Sequence, residues 1–131
     1  MAQDKELLLK DLCARLPYGV KMTHIADDDH CPKTLIGIAK DMITLEGNGG
    51  YSTENVEEFK PYLFPLSSMT TEQRCELHDL IHNLNVLAIN GEIGDWIVSS
   101  SEIDWYNKNH FDYRGLIPMG LAIDATGLNI Y

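Results

Sequence analysis

Leucines at positions 8, 9, 12 and 16 recur at the three-to-four-residue spacing of an amphipathic helix. The pattern starts after Asp4, a residue type suited to a helix N-cap, and stops at Pro17 and Gly19. The period then shortens to that of strands. In Val20–Ala26, Val20, Met22 and His24 share one side, while Lys21, Thr23 and Ile25 take the other. Thr34–Ala39 and Met42–Leu45 are closer to continuous β-branched runs, as in a sheet covered on both faces. Lys40-Asp41 between them is the right length for a hairpin, although neither residue suits a primed turn. A small antiparallel meander is predicted, with a curled, barrel-like sheet as its extended form. Gly47-Asn48-Gly49-Gly50 reads as a flexible turn. Pro61 and Pro65 exclude a helix interior or a central strand between them. Tyr62, Leu63, Phe64 and Leu66 are therefore expected to cross the meander and cover it.

The second half returns to helical spacing. Thr70 with Gln73 forms a capping-box pattern, and Leu77, Leu80, Ile81 and Leu84 follow at i, i+3, i+4 and i+7. Asn90-Gly91 between Val86–Ile89 and Glu92–Val98 carries the signature of a β-hairpin. Ser99-Ser100-Ser101-Glu102 offers another capping box, predicting a helix from about Ser100 to Asn109 with Ile103, Tyr106 and His110 on one stripe. Pro118 disfavours a continuous helix through Leu116–Met119, and Leu121–Ala125 reads as a final extended segment.

At 131 residues, with 44% apolar and 23% charged positions, the chain fits one folded domain spanning residues 1–131. Its patterning predicts the α+β class: an N-terminal helix, a small antiparallel sheet, then two further helices with short strands. No run approaches the roughly 18–20 apolar residues that span a bilayer, and the start of the chain lacks a basic-then-apolar signal pattern. Three cysteines without a CxxC fit a reducing compartment, so a cytoplasmic location is expected. The net charge of −10 is uneven. Residues 61–131 hold nine acids against three bases, Arg74, Lys108 and Arg114. Such a surface repels phosphate backbones, which argues against nucleic acid. It either serves solubility or meets a basic surface on another protein.

Candidate chemistry is sparse. Cys75, His78 and His82 lie at i, i+3 and i+7 on one helical stripe, where two imidazoles four apart can chelate zinc and a thiolate can add a third ligand. A polar helix face that happens to hold two histidines is the alternative. Asp27-Asp28-Asp29-His30-Cys31 could hold a hard cation, but it lacks the glycine and distal glutamate of a calcium loop and reads equally as a solvated turn. Ser99–Ser101 are accounted for by capping, and no GxSxG elbow is present. Cys13 falls in the leucine-rich helix as a small core residue, and His24 alternates with apolar neighbours. Gly47–Gly50 lacks the lysine of a phosphate-binding loop.

The densest segment is Asp104–Ile117, where four of the eleven aromatics fall in fourteen positions. This block, Leu121-Ala122, the upstream Lys60–Thr70 and the opening Leu9–Val20 resemble an uncharacterised family of short proteins from gut anaerobic bacteria and their phages and mobile elements. The resemblance implies an accessory or inhibitor role and brings no known activity. Within the block, Trp105, Tyr106, Asn109, His110, Asp112, Tyr113 and Arg114 are either a recognition patch or a tightly specified structural corner. Trp105, off the Ile103–His110 stripe, is the member expected to be exposed. The leading expectation is a non-enzymatic, acidic protein–protein interaction module with no cofactor. A small metal-binding protein or metal-dependent hydrolase using Cys75, His78 and His82 is the alternative. A DNA-reading helix-turn-helix in the last helix would have only Lys108 and Arg114 for phosphates.

Overall fold

The computed structural model describes residues 2–26, 32–47 and 49–131. The leucine-rich segment forms α1 (Ala2–Arg15). Asp4 lies inside its first turn rather than capping it, where a carboxylate still meets the positive end of the helix dipole. A 3₁₀ turn over Leu16–Tyr18 follows, closed by Gly19 at φ 65°. The chain then enters the meander: β1 (Lys21–His24), β2 (Lys33–Ala39), β3 (Met42–Gly47) and β4 (Gly50–Asn55), each antiparallel to the next. Lys40 turns the β2–β3 hairpin with φ 57°, the left-handed value its sequence was poorly suited to supply. The acidic run 27–31 lies outside the described residues.

β5 (Phe59–Pro65) corrects the expectation drawn from its prolines, because it is an interior strand of the sheet. It pairs antiparallel with β1 and parallel with two short strands, β6 (Phe111–Asp112) and β7 (Ile123–Asp124). The physical reason lies in the alternation of bonding directions along a strand. Ile25 N donates to Glu58 O, so the even-numbered residues here present their backbone to β1, and Pro61 turns its nitrogen the other way. β7 joins only at Tyr62, and Pro65 is the last residue of the strand, so neither proline removes a ladder bond. Tyr62 and Leu63 are accordingly buried within the sheet, while Leu66 lies exposed past its end. The strands follow the order β4-β3-β2-β1-β5-β6, with β7 also on β5. The sheet is open and does not close into a barrel.

Leu8 and Leu12 of α1 bury against Val20, Met22, Leu35, Ile43, Leu45 and Leu63 of the sheet region to form the main core. Beyond β6 stands a helical hairpin, α2 (Thr71–Ile89) and α3 (Asp95–Lys108). The expected capping box is present: Gln73 N donates to Thr70 Oγ1 at 3.1 Å, and Thr70 N to Gln73 Oε1 at 2.9 Å. Leu77, Leu80 and Ile81 pack with Trp105, Phe64 and Phe111 in a second core. No helix among the described residues is long and apolar enough to cross a membrane.

Asn90-Gly91 does not turn a β-hairpin. Helix α2 continues through Val86–Ile89 and closes there with a Schellman motif, in which Glu92 N donates to Leu87 O and Gly91 N to Ala88 O. The same left-handed tolerance that makes Asn-Gly a strand turn serves a helix end, and Gly91 sits at φ 77°. Helix α3 begins at Asp95, so the serines lie inside it rather than at its start. A Cβ at position 91 would meet open space, so substitution there tests the backbone alone. Gly91→Ala should lower the unfolding free energy by about 1 kcal/mol, read by urea denaturation, with the fold unchanged.

Candidate functional site

The Trp105–Arg114 segment is a structural corner. Trp105 is 6% exposed, contrary to the expectation that it is the exposed member. Its ring lies nearly parallel to Phe111 with centroids 5.6 Å apart, and its Nε1 donates to Glu76 Oε1 at 3.1 Å. The helix places this residue on the side that meets α2 and β6, so a large ring there has no route to solvent. Tyr106 donates to Glu102 Oε1 and stacks on Tyr113; burial, then the Glu102 bond, raises its hydroxyl pKa. Asn109 Nδ2 donates to the Trp105 carbonyl at the end of α3. Asp112, itself buried, accepts from Leu116 N and Ile117 N with its two oxygens and so closes the following turn.

Two residues beyond Phe111, Tyr113 and Arg114 tie this corner to α1. Asp11 of α1 is fully buried and receives Arg15 Nε at 2.7 Å on one oxygen and Arg114 Nε at 3.1 Å on the other. Arg15 Nη2 in turn donates to the Phe111 carbonyl at 2.7 Å. The Tyr113 ring lies 5.3 Å from the Arg15 guanidinium carbon and 5.0 Å from that of Arg114. Sequence reading singled out Arg114 but not Asp11 or Arg15. Their i, i+4 opposite charges were the available signal, and such pairs usually belong to a solvated helix face.

His110 adopts φ 62° and stacks on Tyr131, centroids 3.7 Å apart. The Tyr131 hydroxyl accepts from Lys21 N and donates to Tyr62 O, and burial raises its pKa. Burial first, then the Arg15 and Lys21 charges, push the His110 imidazole down to about 4. Its Nδ1 is buried with no hydrogen-bond partner in the structure. These contacts hold Tyr131 against β1 and β5; they bring no nucleophile or second acid to the imidazole.

Elsewhere, Cys75, His78 and His82 are all exposed along α2, with the two imidazoles parallel to within 3° and 6.3 Å apart. Among the described residues no group of three histidine, cysteine or carboxylate side chains converges on a point that could hold a metal. The helix rise separates Cys75 from His82 by roughly 10 Å along the axis, which spreads the stripe instead of closing it. Cys13 is exposed rather than in the core, and His24 packs edge-on against Phe59 while its Nδ1 accepts from Ala26 N. A groove of about 500 Å³ runs between α1 and β5, floored by Leu8, Phe59 and Leu121. Lys5 on its wall is bound by Asp41 and Glu57, whose hydrogen bonds raise its pKa, so the groove's charge is partly neutralised.

Exposed apolar side chains occur on several elements, including Tyr51 on β4 and Ile25 after β1, but two of the three most exposed, Ile89 and Trp96, lie on the helical hairpin. Ile89 is 84% exposed, Trp96 is 72% exposed, and Val86, Leu87 and Ile103 are exposed as well. The Trp96 indole lies over Gly94, where a Cβ would come within 2.8 Å of Cδ1 and Nε1. A glycine N-cap thus leaves room for an exposed ring at the tip. Comparison with protein-family models, curated proteins and solved structures gave no match.

Two measurements check this division between corner and surface. Asp11→Ala leaves the buried Arg15 uncompensated and should cost about 3–5 kcal/mol in chemical denaturation, whereas Trp96→Ala should stay within about 0.5 kcal/mol of the parent. The lowered His110 pKa means that below the ordinary histidine value the unfolded chain binds a proton that the folded chain does not. Stability is therefore flat above pH 6.5 with respect to this group and falls as the pH drops from 6.5 toward about 4. His110→Asn, which tolerates the left-handed backbone, should flatten melting temperature over that window.

Proposed function

We propose that this chain is a non-enzymatic, acidic interaction protein of the cytoplasm that docks onto another protein through its helical hairpin. The observation that carries the reading is the pair Ile89 and Trp96, left 84% and 72% exposed on either side of a fully formed helical turn. Burying large apolar side chains would stabilise the fold, so their exposure so close together in the chain, with Val86 and Leu87 beside them, supports a surface used in binding. Trp is among the residues most enriched at energetic centres of interfaces. Residues 71–108 hold seven acids and two bases, which suits a basic partner surface and disfavours nucleic acid. Trp105, Tyr106, Asn109, Asp112, Tyr113 and Arg114 make hydrogen bonds or ring contacts within the corner and His110 stacks on Tyr131, which favours the hairpin over this segment as the recognition surface. The resemblance to short proteins of gut anaerobes and their phages and mobile elements supports an accessory or inhibitor role.

Metal binding by Cys75, His78 and His82 is the competing reading, favoured by the exposed, parallel imidazoles. One preparation distinguishes the two. Tagged protein captured from a native-like host, with nuclease present, should retain a stoichiometric protein partner that the Ile89→Asp/Trp96→Ala variant loses without a change in melting temperature. A capture without partner, or one unaffected by the double variant, overturns the interaction reading. Stoichiometric zinc in the same sample would favour the metal reading.

A further inference from the structure

At about 100° per residue, Cys75, His78, His82, Val86 and Ile89 fall within roughly 80° of arc on α2, opposite the face that carries Leu77, Leu80 and Ile81 into the core. All five are exposed. Their spacing of three, four, four and three residues is that of a seam that receives another helix, and it runs about 21 Å, four turns. Along the first half of the strip one flank is acidic: Glu72, Glu76 and Asp79 are exposed and follow it at i, i+4 and i+7, and Asn83 and Asn90 continue it. Glu92 and Asp95, also exposed, close its far end at the turn. The one base on the helix, Arg74, turns its Nε back to the Met69 carbonyl at the start of α2. The parallel His78 and His82 rings add flat faces on which a planar guanidinium can stack.

We infer that this outer face of α2 is the docking strip for a basic amphipathic helix of another protein. Apolar side chains of that helix seat on Cys75, Val86 and Ile89, and its arginines reach Glu72, Glu76 and Asp79. A second copy of the chain fits poorly, because each copy carries a net charge of −10 and pairing would bring acidic flanks together. The inference rests on the interaction reading above and names the chemistry of the partner.

The test uses the full chain and a fluorescent synthetic peptide of about 18 residues, a leucine stripe flanked by arginines, with a twin in which glutamates replace the arginines. The arginine peptide should bind saturably by anisotropy and lose about tenfold in affinity between roughly 50 and 300 mM salt, while the glutamate twin does not bind. Glu72→Lys/Asp79→Lys should weaken binding about tenfold, Val86→Glu should abolish it, and Tyr51→Ala on the edge strand β4 should leave it unchanged. Unaltered helical circular dichroism in each variant excludes misfolding as the cause. Failure of the arginine peptide to bind, equal binding of the twin, or indifference to the α2 substitutions overturns the inference. So does a concentration-dependent dimer that Val86→Glu dissociates in sedimentation, since the strip would then be a self-interface. If the peptide fails while a captured partner is still lost on Ile89→Asp/Trp96→Ala, the interaction reading stands and only the basic-helix assignment falls.

Discussion

One buried carboxylate joins the two ends of this chain. Asp11 receives a guanidinium from four residues away and another from 103 residues away, on separate oxygens, with no exposure of its own. Isolated, any of these charges would be expensive to bury; together they are mutually satisfied, apart from the Arg15 Nη1 that finds no partner. The arrangement fixes the position of α1 relative to the Phe111–Arg114 segment. Arg15 also holds the Phe111 carbonyl, and Phe111 is the first residue of β6 and the ring on which Trp105 stacks. The main core under α1 and the second core under the hairpin are thus registered to each other through a polar joint.

That joint explains why the most decorated segment of the sequence has so little left for binding. Its aromatic rings form a continuous chain of contacts, stacked from Phe111 to Trp105, edge-on from Trp105 to Tyr106 and stacked again from Tyr106 to Tyr113, and its polar groups cap turns or bridge to α1. Side chains with both a large apolar body and a directional polar group are suited to such a corner, where packing and hydrogen bonding must be met together. The hairpin that projects from it has the complementary character. Its inward stripe is used in the second core, while its outward face carries two histidines, then Val86 and Ile89 toward the tip, with Glu72, Glu76 and Asp79 along one margin of its first half. The corner's side chains are engaged within the fold, and the hairpin's outward residues remain exposed.

Several elements were legible because their signals are local. The N-terminal helix, the Thr70–Gln73 capping box, the β2–β3 hairpin and the α+β class follow from periodicity and from groups a few residues apart. The edge strand β4 escaped because Gly50–Asn55 is polar and Gly-flanked, and an exposed edge imposes no apolar alternation. Asn90-Gly91 misled because a left-handed residue ends a helix as readily as it turns a hairpin. Pro61 misled because the rule against proline in a sheet concerns a lost donor, and the direction of that donor depends on which strand lies alongside.

The sequence by itself determined where the chain could be helical, where it must turn, and that its surface would carry a strong negative charge, since propensity, capping and net charge depend on neighbours along the chain. Only the tertiary structure decided which tryptophan is exposed, which acid is buried, and that two prolines stand in an interior strand. Those outcomes depend on partners 29 to 103 residues distant, such as Glu76 for Trp105 and Arg114 for Asp11. Burial and charge compensation are properties of what lies across the fold, and no spacing along the chain encodes them.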